Sequence, residues 1–218
     1  MVRQLTDIAW FAGLQAPVRE ALERAGRRVR RGAGEWVYGE GDEQTGLVAV
    51  LDGGLHLYAQ APGGREVLIA VMPAGGVVGQ SMRLGGGPRL LTAICAVEST
   101  LFLLPDHALL QVAEAHPALW PSLAALAYGQ QRVLIEAVVE LVGLKPRQRM
   151  IARLLNLSFN AVRVPVSQAI LAETIGVSRK AVHGWLAELE RAGRVSRGYG
   201  WIEVKDRPGL ERLLRAEA

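Results

Sequence analysis

The sequence predicts an α+β protein with three parts: an N-terminal β-roll or jelly roll, one long helix, and a C-terminal winged helix-turn-helix. About eight short β-prone runs, separated by glycine- and proline-rich turns, fill residues 27–105. The stretch 117–143 then keeps apolar residues at helical spacing. The rest of the chain is basic and contains two serine-capped helical segments. The predicted boundaries are therefore 1–116, 117–143 and 144–218.

The net charge divides unevenly between the first two thirds of the chain and the last third. Of the 218 residues, half are hydrophobic and 21% are charged, and the formal net charge is +4. Residues 1–144 carry 11 basic and 14 acidic side chains, whereas residues 145–218 carry 14 basic and 7 acidic ones. The difference between −3 and +7 predicts a polyanion-binding module attached to a mildly acidic body.

Several classes of protein are excluded by composition and by missing motifs. Cys95 is the single cysteine, so there is no intramolecular disulfide and no iron–sulfur or zinc site built on cysteines. We see no signal peptide and no apolar run of about 18 residues, and therefore expect a soluble, cytoplasmic protein without a membrane partner. No phosphate-binding loop, zinc-protease motif or nucleophile elbow is present, which argues against an enzyme.

The first half of the chain is predicted to form a helix followed by a β-domain. Leu14, Val18, Leu22 and Ala25 recur at spacings of four, four and three, which predicts a helix over residues 4–25. Hairpin-type glycine turns then separate the strands, and this spacing is typical of a sandwich or jelly roll. The predicted strands are Arg27–Arg31, Glu35–Tyr38, Leu47–Leu51, Leu55–Gln60, Glu66–Met72, Val77–Val78, Leu91–Val97 and Thr100–Leu104.

Two helices follow the β-domain. Asp106 is the predicted N-cap of the first, which ends before Pro117. The long helix from about Pro117 to Gly143 has two neighbouring apolar rows, and its length would overhang one small barrel. We therefore expect a homodimer seam, while the alternative is a helix that lies on its own β-domain. The apolar positions are Leu119, Leu123, Leu126, Val133, Ala137 and Leu141 in one row and Ala127, Leu134 and Val138 in the other.

The basic third contains a predicted helix-turn-helix. Ser167 caps a helix over Gln168–Ile175, Gly176 supplies a left-handed turn, and Ser178 caps a second helix over Arg179–Arg191. The N-terminal end of such a second helix carries side chains into the DNA major groove. Residues 194–204 then read as a hairpin, or wing, in which Arg194 and Arg197 lie near phosphates. The candidate DNA-binding residues are Ser167, Gln168, Ser178 (mainly a cap), Arg179, Lys180, His183 and Arg197. Solvated surface charges, or a helix-turn-helix that binds protein, are the alternatives.

The order of these parts resembles the Crp/Fnr family of bacterial transcription regulators. The most specific likeness lies in Val166-Ser167-Gln168, Leu171-Ala172 and the run 176–182. The resemblance implies a cyclic-nucleotide-binding-like sensor domain and a symmetric dimer that binds a palindromic operator on double-stranded DNA. It also implies an effector pocket between the β-roll and the long helix. If the protein activates transcription, RNA polymerase is a further expected partner.

Departures from the family pattern argue against cAMP as the effector. The family's ribose-binding Gly-Glu pair is Gly79-Gln80 here, and its phosphate-binding Arg-Ser pair falls on Leu90-Leu91, with Arg89 one residue early. A one-residue slip within a strand would turn Arg89 to the opposite face. The positions matching the base-binding Thr-Ser pair are the apolar Leu134-Ile135. The candidate pocket residues are Gly79, Gln80, Ser81, Arg89, Leu90, Leu134 and Ile135, and they suit a hydrophobic effector or none.

Other sensor chemistries of the family are less well supported by the residues. Haem would need axial ligands such as His56, His107 or His116, and a lone strand histidine is usually structural. Cys95 lies in an apolar strand and is expected to be a buried small hydrophobe rather than a redox sensor. We therefore expect no cofactor, with haem or another hydrophobic ligand as the alternative. Gly184 stands where family members often have Arg in the recognition helix, so the family's half-site is not carried over.

Overall fold

The computed structural model describes residues 3–158, 163–164 and 166–216, apart from the side chains of Gln80 and Leu84. It has the predicted α+β architecture. The helices are α1 (Ala9–Ala12), α2 (Ala16–Ala25), α3 (Asp106–Ala115), α4 (Leu119–Gly143), α5 (Pro146–Leu157), α6 (Gln168–Thr174), α7 (Arg179–Arg191) and α8 (Arg207–Ala216). The strands are β1 (Arg27–Arg31), β2 (Trp36–Tyr38), β3 (Gly46–Asp52), β4 (Gly54–Ala61), β5 (Arg65–Pro73), β6 (Val77–Gln80), β7 (Thr92–Cys95), β8 (Ser99–Pro105), β9 (Arg163–Val164), β10 (Val195–Gly198) and β11 (Trp201–Val204).

The β-roll consists of two antiparallel four-stranded sheets, ordered β1-β8-β3-β6 and β2-β7-β4-β5. Strand β3 is buried on both faces because successive side chains alternate between two cores. Val48 and Val50 point between the sheets, towards Leu55 and Cys95. The alternate residues of β3 pack against the N-terminal helices, α3 and the start of α4. Each predicted strand of this domain is therefore present, with ends shifted by at most two residues.

The N-terminal segment is broken into short pieces and is not the single helix predicted over residues 4–25. A 3₁₀ turn (Leu5–Asp7) is followed by the one-turn helix α1 and by α2. Gln15 has an extended backbone with φ −60° and ψ 145°, and Pro17 lies in the first turn of α2. Proline is tolerated in a first helical turn but cannot continue a helix from the preceding segment. The expected periodicity holds only within α2, where Val18 and Leu22 are buried.

The ends of α3 and α4 also differ from expectation. Pro105, and not Asp106, is the N-cap of α3. Asp106 is the first helical residue, and its carboxylate accepts hydrogen bonds from Thr45 Oγ1 (2.9 Å) and the Arg83 amide (3.2 Å). A buried carboxylate needs such donors, so this side chain ties the helix to the β-roll instead of capping it. Helix α4 begins at Leu119, after a turn at Pro117, and ends at Gly143.

The C-terminal domain packs four helices against a small sheet. Sheet order is β10-β11-β9, so a short strand before the helix-turn-helix joins the predicted wing as its third strand. Met150 and Ile151 of α5, Leu171 of α6 and Val182 of α7 form one core. Burial of this inward face leaves the N-terminal end of α7 on the surface.

This C-terminal core extends onto the β-roll. Leu68 and Val71 of β5 are 2% and 5% exposed and belong to the same apolar cluster as Leu171 of α6. Tyr58, which pairs with Leu68 across the β4–β5 ladder, packs at its edge. The two domains of one chain therefore touch across the outer face of β5. Within the described ranges, no helix is both long enough and apolar enough to span a bilayer.

Candidate nucleic-acid interface and effector cavity

Two serine caps set the start of the helix-turn-helix. Ser167 Oγ accepts a hydrogen bond from the Ile170 amide at 3.2 Å, and Ser178 Oγ accepts one from the Ala181 amide at the same distance. Between the helices, Gly176 has φ +68°, a conformation in which a Cβ would be strained. Both predicted caps and the predicted glycine turn are confirmed. They orient the first turn of α7 outward.

Arg179 and Lys180 lie in that first turn and are exposed. Across the described part of the chain, neither side chain makes a hydrogen bond or an ion pair. Guanidinium and ammonium groups presented this way can donate to guanine edges or to phosphate oxygens. This end of α7 therefore has two cations free for an anionic partner.

The remaining predicted contacts form a network around His183. Gln168 Oε1 lies 3.1 Å from His183 Nδ1, which links the starts of α6 and α7. Arg197 of the wing donates from Nε to Glu190 Oε2 at 2.8 Å and from Nη1 to the His183 carbonyl at 3.2 Å. Arg197 is thus held against the recognition helix, whereas the sequence suggested a free phosphate contact. Its position braces the wing on α7. At the wing's turn, Tyr199 is fully exposed.

A cavity of about 470 Å³ lies between the β-roll and α4. Most of its lining is aliphatic, with Trp10 and Tyr38 as the aromatic members. The lining residues are Trp10, Tyr38, Leu57, Ile69, Ala70, Met72, Val77, Val78, Gly79, Leu90, Leu91, Ala125, Leu126, Gly129, Gln130, Val133 and Leu134. Its volume falls in the usual range of small-molecule sites, about 300–1,000 Å³.

The structure places the predicted pocket residues in different positions relative to the cavity. Gly79, Leu90 and Leu134 line the cavity, and Ser81 lines a smaller adjoining one of about 160 Å³. Ile135 lies on a different face of α4, is 56% exposed, and does not contribute to the lining. The Gln80 side chain lies outside the described part of the chain. Arg89 is buried beside the cavity but does not line it.

Arg89 precedes β7 in a loop, so the predicted slip within a strand is wrong. Its Nη1 donates to the Gly46 carbonyl at 2.7 Å and its Nε to the Gln44 carbonyl at 3.3 Å. The guanidinium also stacks on the Tyr38 ring, 4.0 Å from the centroid. Burial lowers the pKa of Arg89, an effect opposed by the nearby Tyr38 and by the carboxylates of Asp42 and Asp106. The side chain is thus engaged by the protein itself.

Gly79 explains how closely Arg89 packs. It has φ +113°, and a Cβ there would collide with the Gly46 carbonyl oxygen and lie 2.8 Å from Arg89 Nη1. Only glycine leaves room for the guanidinium at this place. The glycine of the family's Gly-Glu pair therefore serves the internal Arg89 contact in this chain.

Comparison with known proteins follows the same division of the chain. A profile described as "Cyclic nucleotide-binding domain" matches residues 28–116, and one described as "Crp-like helix-turn-helix domain" matches residues 148–213. The chain is 28% identical over 216 residues to the nitrogen fixation regulation protein FixK of Bradyrhizobium diazoefficiens, covering 94% of this chain and 89% of that protein. It is 29% identical over 185 residues to the cyclic AMP receptor protein of Thermus thermophilus, covering 83% and 84%.

Among solved structures, FixK2 of Bradyrhizobium japonicum has the same fold. The TM-score is 0.75 at 21% identity, covering 86% of this chain and 96% of that one. The chain belongs to the Crp/Fnr family. It is a transcription regulator with a DNA-binding helix-turn-helix, and not an enzyme.

Within this Crp/Fnr regulator, the sequence reading missed Gln130. This residue of α4 lines both the main and the adjoining cavity, and its Nε2 is buried without a hydrogen-bond partner among the described residues. Gln130 lies four residues, about one helical turn, before Leu134, which is one of the predicted pocket residues. That spacing was the available signal.

His56 and Cys95, the residues considered for haem binding and redox sensing, do not line the cavity. His56 pairs with Val71 across β4 and β5 and belongs to the outer face of the roll, where burial lowers the pKa of its imidazole. Cys95 is 1% exposed between the sheets, and burial raises the pKa of its thiol. In the described ranges, no three side chains of His, Cys, Asp or Glu are grouped to hold a metal ion.

Proposed function

We propose that this regulator binds a palindromic operator as a homodimer, with the first turn of α7 in the major groove of each half-site. The observation that carries the proposal is the pair of exposed, unengaged cations, Arg179 and Lys180, at the capped start of α7. The bond between Gln168 and His183 and the brace from Arg197 hold this end of the helix in one orientation. Half-sites about 34 Å apart follow from the dimer geometry of this motif.

The homodimer is supported by the apolar surface of α4. Leu119 and Leu123 pack on the chain's own β-roll, but the row that follows along the helix is solvent-exposed. Leu134, Val138 and Leu141 are 55%, 59% and 58% exposed at spacings of four and three. An apolar stripe of this length on one helix is typical of a helix–helix seam. A second copy related by a two-fold axis would cover it with the same stripe.

We further propose that the effector is not cAMP, or that the protein works without one. The cyclic phosphate would need a cation in the cavity, and Arg89 already donates to two carbonyl oxygens behind it. A haem sensor receives less support because the described residues that line the cavity include no histidine. If the protein activates transcription, RNA polymerase is its further partner.

The test begins with operator selection. Full-length protein is used to select duplexes from a random pool, and the selected palindrome is then titrated by fluorescence anisotropy at several salt concentrations. Arg179→Ala should weaken binding by about 1–3 kcal/mol, or roughly five- to 150-fold, because it removes one base or phosphate contact. Arg212→Ala, an exposed residue of α8 with the same charge change, is the matched control.

Three results would contradict the proposal. They are a selection that yields no palindrome, a selected duplex that binds a monomer, and equal binding by the two variants. Binding should also weaken steeply as salt rises, since phosphate contacts release condensed counterions.

A further inference from the structure

We propose that the cavity between the β-roll and α4 binds an uncharged, mainly apolar molecule that accepts one hydrogen bond from Gln130 Nε2. This inference deepens the proposed function, because it assigns a ligand class to the regulator's sensor domain. It rests on three independent features of the cavity: its apolar lining, the engagement of the nearby cation, and one buried donor without a partner.

The first feature is the lining itself. The walls come from β4, β5, β6 and the loop before β7, with Trp10 of α1 and Tyr38 of β2, and the remaining side comes from α4 between Ala125 and Leu134. Trp10 offers no spare polar group, because its indole Nε1 donates to the Ser122 carbonyl at 2.9 Å. A ligand gains most here by removing apolar surface from water. Leu90 is 68% exposed, so it can pack on an entering molecule.

The second feature is the state of Arg89. It lies behind Gly79 at the cavity wall, only 7% exposed, and bonds to the carbonyls of Gly46 and Gln44. An anionic ligand would have to break these bonds and compete with Asp42 and Asp106 for the same charge. A carboxylate or phosphate placed in the cavity would remain unpaired, which is costly in an apolar site. The ligand should therefore be neutral.

The third feature is the amide of Gln130. Its Nε2 is buried and has no acceptor among the described residues. Buried amide donors are nearly always paired, and an orphaned one loses its hydration without compensation. Gln130 lines the cavity with other atoms of its side chain, so rotation of its amide towards the cavity would let Nε2 donate to a ketone, ester or hydroxyl oxygen of the ligand. The same group would fix the orientation of an otherwise apolar molecule.

The proposal is tested with the full-length protein and the uncharged fluorophore N-phenyl-1-naphthylamine, in the absence of DNA. The fluorophore should bind with increased emission. We expect 2-octanone to displace it, whereas octanoate, octylammonium and cAMP should do so at least tenfold less effectively. Displacement by cAMP or octanoate as effective as that by 2-octanone, or no binding of the fluorophore, would overturn the proposal.

Two variants place the binding in this cavity. Gly129 lines the cavity and a Cβ there meets no atom within 4 Å, so the side chain of Gly129→Leu should occupy part of the cavity and reduce fluorophore binding more than tenfold. Gly143→Leu is the matched control, because it lies at the end of α4, has the same open space and is outside the lining. Equal binding by the two variants, with both folded by circular dichroism, would locate the site elsewhere and reject the proposal.

Gln130→Leu tests the single donor. It should leave fluorophore binding nearly unchanged but weaken 2-octanone about three- to tenfold, the usual range for one net hydrogen bond. An unchanged affinity for the ketone would contradict the assigned role of Gln130. Because these titrations contain no DNA, failure of ligand binding leaves operator binding intact as a separate result. Equally, loss of operator recognition would not affect the ligand measurement.

Discussion

At the scale of single residues, Gly184 leaves the middle of the recognition helix without a side chain. The residue is exposed, and a Cβ built there meets nothing within 4 Å. Glycine inside a helix costs about 1 kcal/mol relative to alanine, because the unfolded chain loses more conformational freedom. The open space also removes one potential base contact. The proposed base contacts therefore come from the first turn of α7.

We predict that Gly184→Ala stabilises the protein by about 1 kcal/mol, because it recovers that helix propensity. The midpoint of thermal unfolding should rise by about 2–4 °C for a chain of this size. Scanning calorimetry measures the shift. Gly176→Ala, the same substitution at φ +68°, is the control and should instead lower the midpoint. Stabilisation at both positions would show that backbone conformation does not govern these glycines.

At the scale of elements, α4 has two different faces along one helix. Its start is anchored, with Leu119 fully buried and Leu123 9% exposed on the β-roll. Further along, Val133 and Gln130 face the cavity, while Val138 and Leu141 face solvent. The two alternatives for this helix are therefore compatible, since it lies on its own β-domain and still presents an apolar stripe. A ligand in the cavity and a second subunit would contact adjoining faces of α4.

We predict that Val138→Glu converts a dimer into a monomer. Two-fold symmetry would bring both carboxylates into the apolar seam, and burying each without a cation should cost more than about 3 kcal/mol. Sedimentation velocity at micromolar concentration measures the change. Arg132→Glu, at an exposed position that pairs with Glu136 and lies on a different face of α4 from Val138, should leave the dimer intact. A wild-type protein that sediments as a monomer would refute the seam altogether.

At the scale of the whole molecule, the C-terminal domain docks on the outer face of β5. The contact places Leu68 and Val71 in the same apolar cluster as α6, and Tyr58 lies close enough to Glu173 for that carboxylate to add to the burial that raises its pKa. Interfaces of this type between domains are usually limited in area and stability. The orientation of α7 is consequently set by a small patch on the sensor domain as well as by the Gly143–Pro146 connection.

We predict that Leu68→Asp separates the two domains. Retaining the contact would bury an unpaired carboxylate at high cost in free energy. The C-terminal domain should therefore separate from β5, which leaves the carboxylate in water. Small-angle X-ray scattering should show a larger radius of gyration. Trypsin should also cut faster after Arg147 and Arg149, which follow the connection between the domains. Arg65→Asp, at the exposed end of β5, is the control. An unchanged scattering curve for Leu68→Asp would mean that this patch does not hold the domains together.

Sequence alone determined the elements that depend on neighbours close in the chain. These elements are the strands of the β-roll, the caps Ser167 and Ser178, the turn at Gly176 and the basic C-terminal third. They follow from alternating side chains, from hydrogen bonds between residues three apart and from the count of charged residues. Local signals also have limits, because the break before Pro17 interrupted a helix that periodicity had extended.

Only the tertiary structure decided what depends on residues far apart in sequence. It placed Arg89 against carbonyls more than forty positions earlier, paired Gln168 with His183, and left Gln130 Nε2 without a partner in the described part of the chain. It also brought Leu68 against α6. Such contacts arise from how whole elements pack, and no spacing within the sequence encodes them directly. For this regulator, the sequence was sufficient to predict the helix-turn-helix, whereas the contacts around its cavity were known only from the folded structure.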